Sequence, residues 1–98
     1  MKVITVDGIV IKLGRNAKEN TELVKSSSPK HFWVHLDSFP SGHVVIESEL
    51  YNEDVIRRAC MFCLENTKYR RLKNICFSVS RIENLVTTNL AGEVEFKS

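Results

Sequence analysis

The sequence is short of the features that mark special classes of protein. No apolar run approaches the roughly 20 residues that a bilayer-spanning helix needs. The opening stretch MKVITVDGIVIKL alternates and turns where a secretory signal would build an unbroken apolar segment. A membrane role is therefore set aside, and a soluble, cytoplasmic protein is expected. Four glycines and two prolines in 98 residues exclude collagen-like and low-complexity chains. Three cysteines, an odd number, argue against a paired disulfide framework and for free thiols. Charge of one sign is lacking too, since 14 Lys+Arg face 12 Asp+Glu for a net +2. Missing as well are the GxGxxG and GxxxxGK[ST] cradles of nucleotide-binding folds and the GxSxG and HExxH signatures of hydrolases.

What remains is ordinary globular composition, 43% hydrophobic and 27% charged, in a chain long enough for one modest core. A single domain over residues 1–98 is expected. Two β-branched runs flank Asp7-Gly8, a dipeptide suited to the positive φ angles of a type I′ turn, and predict an N-terminal hairpin. Ala17 to Lys25 reads as a short, mostly exposed helix with Asn16 as its cap. His31 to Leu36 alternates as a strand, and His43 to Ser48 follows as another.

Asn52 with Glu53 and Asp54 opens a helix of about four turns, whose apolar stripe runs through Ile56, Ala59, Cys60, Cys63 and Leu64. Ile75, Phe77 and Val79 alternate again, and weaker strand signals, Leu85-Val86 and Val94 to Phe96, flank Ala91-Gly92. The sum is an α+β fold: a two-layer arrangement of a mainly antiparallel sheet with one short and one longer helix, the longer packed on the sheet.

Three groups of residues carry chemistry. Gly14, Arg15 and Asn16 stand at a strand-to-helix junction, where helix-start amides and a guanidinium suit a phosphate, or where ordinary turn and cap chemistry suffices. Trp33 lies between His31 and His35 on one strand face, which reads either as a platform for stacking unpaired bases or as the lid of a second, smaller core. Charge is also unevenly placed. Between Arg57 and Lys73 stand six basic residues, Arg57, Arg58, Lys68, Arg70, Arg71 and Lys73, against Glu65 alone. The remaining residues are net acidic, so a balanced total conceals a local phosphate-backbone footprint.

Two sharper readings are weaker. Cys60 and Cys63 with His31 and His35 or His43 match zinc-ligand types, but the cysteines fall inside a helix stripe, where they behave as small hydrophobes. A nuclease using His35 and His43 rests on residue types alone.

In order along the chain, Gly14-Arg15-Asn16-Ala17, Asn20 and Leu23, Phe32-Trp33-Val34-His35, and Pro40 with His43-Val44-Val45-Ile46 form a pattern. It closely resembles the RNA-binding domain of the NFACT proteins of ribosome quality control. The resemblance implies a standalone, non-catalytic module without cofactor or metal. Its partner would be structured RNA, tRNA or rRNA, with DNA and the ribosome as further candidates. A module that docks on a ribosome-associated protein is the alternative.

By the same resemblance and the charge pattern, the RNA-binding set is Lys12, Arg15, Asn16, Asn20, Trp33, His35, His43, Arg57, Arg58, Arg70, Arg71 and Lys73. Arg15 and the amides near Asn16 are expected to meet phosphate, Asn20 to order the site, His35 and His43 to touch sugar or base edges, and Trp33 to shape that face. Two departures stand out. The family's Pro-Gly-Ser-His is here Pro40-Ser41-Gly42-His43, and its lysine-rich C-terminal loop is replaced by RIENLVTTNLAGEVEF.

Overall fold

A computed structural model describes residues 1–87 and 93–97. The first elements are strands β1 (Lys2–Val6) and β2 (Ile9–Leu13), helix α1 (Ala17–Ser26), and strands β3 (Phe32–Leu36) and β4 (Val44–Ile46). Helix α2 (Glu53–Glu65), β5 (Phe77–Arg81), a short 3-10 turn (Ile82–Asn84), β6 (Leu85–Thr87) and β7 (Val94–Phe96) complete the set. The Ala91-Gly92 turn signal lies outside the described residues.

Five strands form one sheet in the order β1-β2-β4-β3-β5, every neighbouring pair antiparallel. The N-terminal hairpin turns where its sequence dictates: Asp7 and Gly8 have φ of 51° and 78°, both positive, and Val6 pairs with Ile9. Both helices start at the expected asparagines. Asn16 accepts from the Glu19 N–H at 2.9 Å, and Asn52 accepts from the Val55 N–H at 3.2 Å. At the far end of α2, the Asn66 side-chain amide donates to the Phe62 carbonyl and the Thr67 hydroxyl donates to that of Leu64, both at 2.8 Å.

The strand alternation sorts the interior into two cores. Ile11, Leu13, Phe32, Val34, Leu36, Val44 and Ile46 face α2, which answers with Val55, Ile56, Ala59, Phe62, Cys63 and Leu64. The opposite face of the sheet carries Trp33 and Val45, packed against Leu23 and Val24 of α1 with Ile82 and Leu85.

The α+β class and antiparallel sheet are as the sequence predicts, but the layering is richer. The sheet is covered on both faces, by α2 on one side and by α1 with the β6–β7 hairpin on the other. Two layers therefore describe only the half around α2. The reason is Trp33: a side chain of this size on the second face needs its own cover. The same cover makes α1 less exposed than expected, with Asn20, Leu23 and Val24 buried. Ile75 packs against the main core ahead of β5 instead of extending that strand.

Candidate nucleic-acid interface

The loops that follow β2 and precede β4 are locked together by polar contacts too close for larger residues. The Gly14 N–H donates to the His43 carbonyl, and the His43 N–H donates to Asn20 Oδ1, both at 3.0 Å. A Cβ on Gly14 would stand 2.0 Å from Asn20 Oδ1, and one on Gly42 would stand 2.3 Å from the Gly14 carbonyl oxygen. Gly42 thus lets two backbones meet. Ser41, the other half of the exchanged pair, accepts from the Leu36 N–H at 3.1 Å and donates to the Gly42 carbonyl at 3.1 Å. Asn20 is buried, and its side-chain oxygen ties α1 to this junction.

One side of the junction opens as a cleft of about 340 Å³. It is lined by Arg15, Asn16 and Asn20, by Pro40, Ser41 and Gly42, and by Asn66, Thr67, Lys68 and Tyr69. It contains no carboxylate among its described lining residues and brings together Arg15 and Lys68, 53 residues apart in sequence. Lys68, although part of the basic stretch, and Tyr69 are absent from the predicted site set. What places them is the cap of α2, which turns the chain back toward α1 and could not be read from charge alone. Lys68 Nζ lies 5.5 Å from the Tyr69 ring centroid, and Tyr69 in turn packs on Phe39 at 4.7 Å. Arg70, Arg71 and Lys73 stand exposed on the connection that follows.

Arg15 is not idle. Its Nη2 lies 3.2 Å from Glu19 Oε2, and its backbone N–H donates to Glu19 Oε1 at 3.0 Å. The N-terminal amine of Met1 stands 3.1 Å from the same carboxylate. Hydrogen bonds from Arg15 hold the Glu19 carboxyl at about 2, well below the usual carboxylate range. A phosphate entering the cleft competes with Glu19 for the guanidinium.

On the other side of Pro40 lies a second cleft of about 410 Å³, between β3 and the β6–β7 hairpin. Trp33, His35, His43 and Phe96 meet here, with Asp37, Phe39, Ser78 and Glu93 around them. Trp33 is only 3% exposed, so the reading of it as an open stacking platform is corrected: it is the centre of the second core. One of its ring faces is taken by His35, stacked at 5.5 Å with 4° between planes, while His43 and Phe96 meet it edge-on at 5.5 and 5.8 Å. The exposed aromatic at this cleft is Phe96, 56% accessible, which the weak strand signal at the C-terminus gave no reason to single out. His35 Nδ1 lies 2.6 Å from the Leu36 carbonyl oxygen, and burial holds its imidazole pKa below the ordinary histidine value, keeping it neutral.

The remaining predicted residues do not converge on either cleft. Lys12 alternates with Ile11 and Leu13, hence sits on the sheet face away from α2, and pairs with Glu47 at 2.9 Å. Arg57 and Arg58 occupy the outer side of α2, where Arg57 Nη2 lies 3.3 Å from Glu53. They are placed as the helix pattern requires but apart from Arg15. Among the described residues no three His, Cys, Asp or Glu side chains come together in a way that could hold a metal. Cys63 is buried and Cys60 half-buried in α2; burial pushes both thiols up, Cys60 to about 11. No helix among the described residues is long and apolar enough to cross a membrane.

Residues 1–98 match the NFACT protein RNA binding domain. No curated protein matches the chain. Among solved structures, the C-terminal part of the fibronectin/fibrinogen-binding protein from Streptococcus suis superposes with a TM-score of 0.88 at 22% identity. The superposition covers 98% of this chain and 41% of that one, and at this identity it speaks to the fold.

Proposed function

Because the chain belongs to the NFACT RNA-binding domain family, we propose that it is a non-catalytic module gripping the phosphate backbone of structured RNA, tRNA or rRNA, in a translation or ribosome-quality-control setting. The observation that carries this reading is the cleft that brings Arg15 and Lys68 together, with Arg70, Arg71 and Lys73 exposed on the connection that follows in sequence. Helix-start amides beside Asn16 and a row of exposed cations fit a polyanion whose shape, not sequence, is recognised. The chain spans well under half of the structural relative, so its wider biology need not carry over.

The test is a binding series with tRNA, an rRNA fragment and duplex DNA across salt concentrations. Affinity for RNA should fall steeply with salt, and both Arg15→Glu and the pair Arg70→Glu with Arg71→Glu should flatten that fall. Silence from all three nucleic acids at low salt would sink the reading. RNA left intact after prolonged incubation removes the histidine nuclease.

A protein-docking role is the second reading, supported by an apolar loop tip. Leu50 and Tyr51 are 80% and 63% exposed, yet the loop is held in place by Arg81, which donates to the Glu49 carbonyl, and by Tyr51 meeting Phe32 edge-on. A partner retained from nuclease-treated lysate and lost with Leu50→Ser and Tyr51→Ser would favour it.

A further inference from the structure

The two clefts on either side of Pro40 differ in charge in a way that assigns them different parts of a nucleotide. Arg15 and Lys68 line the first, with no carboxylate among its described lining residues. Asp37 and Glu93 line the second, with no lysine or arginine among its described lining residues. Its histidines add no cation near neutral pH where His35 is concerned, because that imidazole is held neutral by burial. A phosphate is repelled from such a place. A flat, uncharged group bearing hydrogen-bond donors is favoured.

We infer that the cleft bounded by Phe96, His35, Pro40, Asp37 and Glu93 receives an unpaired nucleobase carrying an exocyclic amino group, cytosine, adenine or guanine, from the RNA strand whose phosphate lies in the Arg15–Lys68 cleft. The inference rests on the RNA-binding reading. Pro40 borders both clefts, so base and backbone of one strand can lie on its two sides. At about 410 Å³ the space is ample for a base, and Phe96 offers an exposed aromatic ring at its edge. The carboxylates of Asp37 and Glu93 accept hydrogen bonds and cannot donate them, which suits the amino group of cytosine, adenine or guanine. Uracil is disfavoured, since its one ring N–H is flanked by two carbonyl oxygens that would face those carboxylates. A cationic side chain from a protein partner is the competing occupant, but it has no reason to lie beside a phosphate site.

Trp33, the only tryptophan in the chain, lines this cleft and reports on it directly. The experiment titrates the intact chain with labelled hexamers of rC, rA and rU and with a fully abasic hexamer of the same ribose-phosphate backbone, reading anisotropy and Trp33 emission together. The expected result is that rC and rA bind roughly fivefold or more tightly than rU and the abasic strand, and that only rC and rA change Trp33 emission. Asp37→Asn combined with Glu93→Gln, both at exposed positions, should erase the preference by raising rU affinity toward that of rC and rA, and Phe96→Ser should weaken rC and rA alone.

Equal affinity for all four strands with unchanged Trp33 emission would overturn the inference while leaving RNA binding standing. If no strand binds at low salt and tRNA, the rRNA fragment and duplex DNA are silent as well, the RNA reading fails by itself. Cytidine and uridine as free nucleosides then decide the cleft: a Trp33 response to cytidine only supports it, and no response, or a response only to an arginine-containing peptide, overturns it.

Discussion

Asn20 Oδ1 accepts the His43 backbone N–H at 3.0 Å, a hydrogen bond that ties α1 to the start of β4 across 23 residues. Both partners are buried, at 8% and 3% exposure, so no water can replace the contact cheaply. Asn20→Ala should cost about 1–3 kcal/mol, the range for leaving a buried N–H unsatisfied, measured as a shift in the urea midpoint. Gly14→Ala and Gly42→Ala should each destabilise as well, because the added methyl collides with Asn20 or with the Gly14 carbonyl. A neutral outcome at Gly42 would mean the two loops can separate without consequence.

Glu19 sets how freely Arg15 can serve a polyanion. Glu19→Gln removes the competing carboxylate, and it should raise RNA affinity and steepen the salt dependence by about one counterion. Arg15→Glu should do the reverse. Salt titrations of tRNA binding by the two variants separate a competing Glu19 from a bystander.

Trp33 belongs to packing more than to contact. Trp33→Ala should cost roughly 3–5 kcal/mol, as truncation of a buried large aromatic does, and Trp33→Phe considerably less. If Trp33→Phe folds, its affinity for duplex tRNA segments should be near that of the parent chain. A collapse of binding without loss of stability would restore the stacking role.

His35 predicts a pH dependence. Burial lowers its pKa in the folded state, so the unfolded chain takes up the proton first and stability falls as pH drops below the ordinary value of 6.5. Thermal melts between pH 7.5 and about 5 should show this decline, and His35→Gln should flatten it. An unchanged slope would place the acid sensitivity elsewhere.

The thiols should divide by environment. Cys76 is exposed, whereas Cys60 and Cys63 are shielded and hard to ionise. A thiol reagent at neutral pH should label one site quickly and the other two only on unfolding. Fast labelling at Cys63 would show α2 opening away from the sheet.

Local chemistry explains which features could be read ahead of the structure. The Asp7-Gly8 turn, the Asn16 and Asn52 caps and the stripe on α2 each depend on neighbours a few residues away, and each is where the sequence puts it. Residue types also pointed to Arg15, to the order of the family motifs and to a basic stretch after α2. What escaped the sequence depends on long-range arrangement. The partnership of Arg15 with Lys68 needs the α2 cap, the quenching of Arg15 by Glu19 needs a side-chain geometry, and the burial of Trp33 needs the β6–β7 hairpin, whose strand signals were weak. Lys12 shows the converse: a cation of the right type that lines neither cleft and is paired with Glu47.

Closing both faces of the sheet has a consequence for how such a module can diversify. The walls of the first cleft are built largely by loop segments, around residues 15–16, 40–42 and 66–69, and the second draws Asp37 to Pro40, His43 and Glu93 from loops, while the two cores hold the frame beneath them. Apart from Gly14 and Gly42, whose close contacts exclude a side chain, charge and shape at those loops can therefore be exchanged with little effect on folding. Selectivity can drift from one ligand to another while the scaffold underneath stays unaltered.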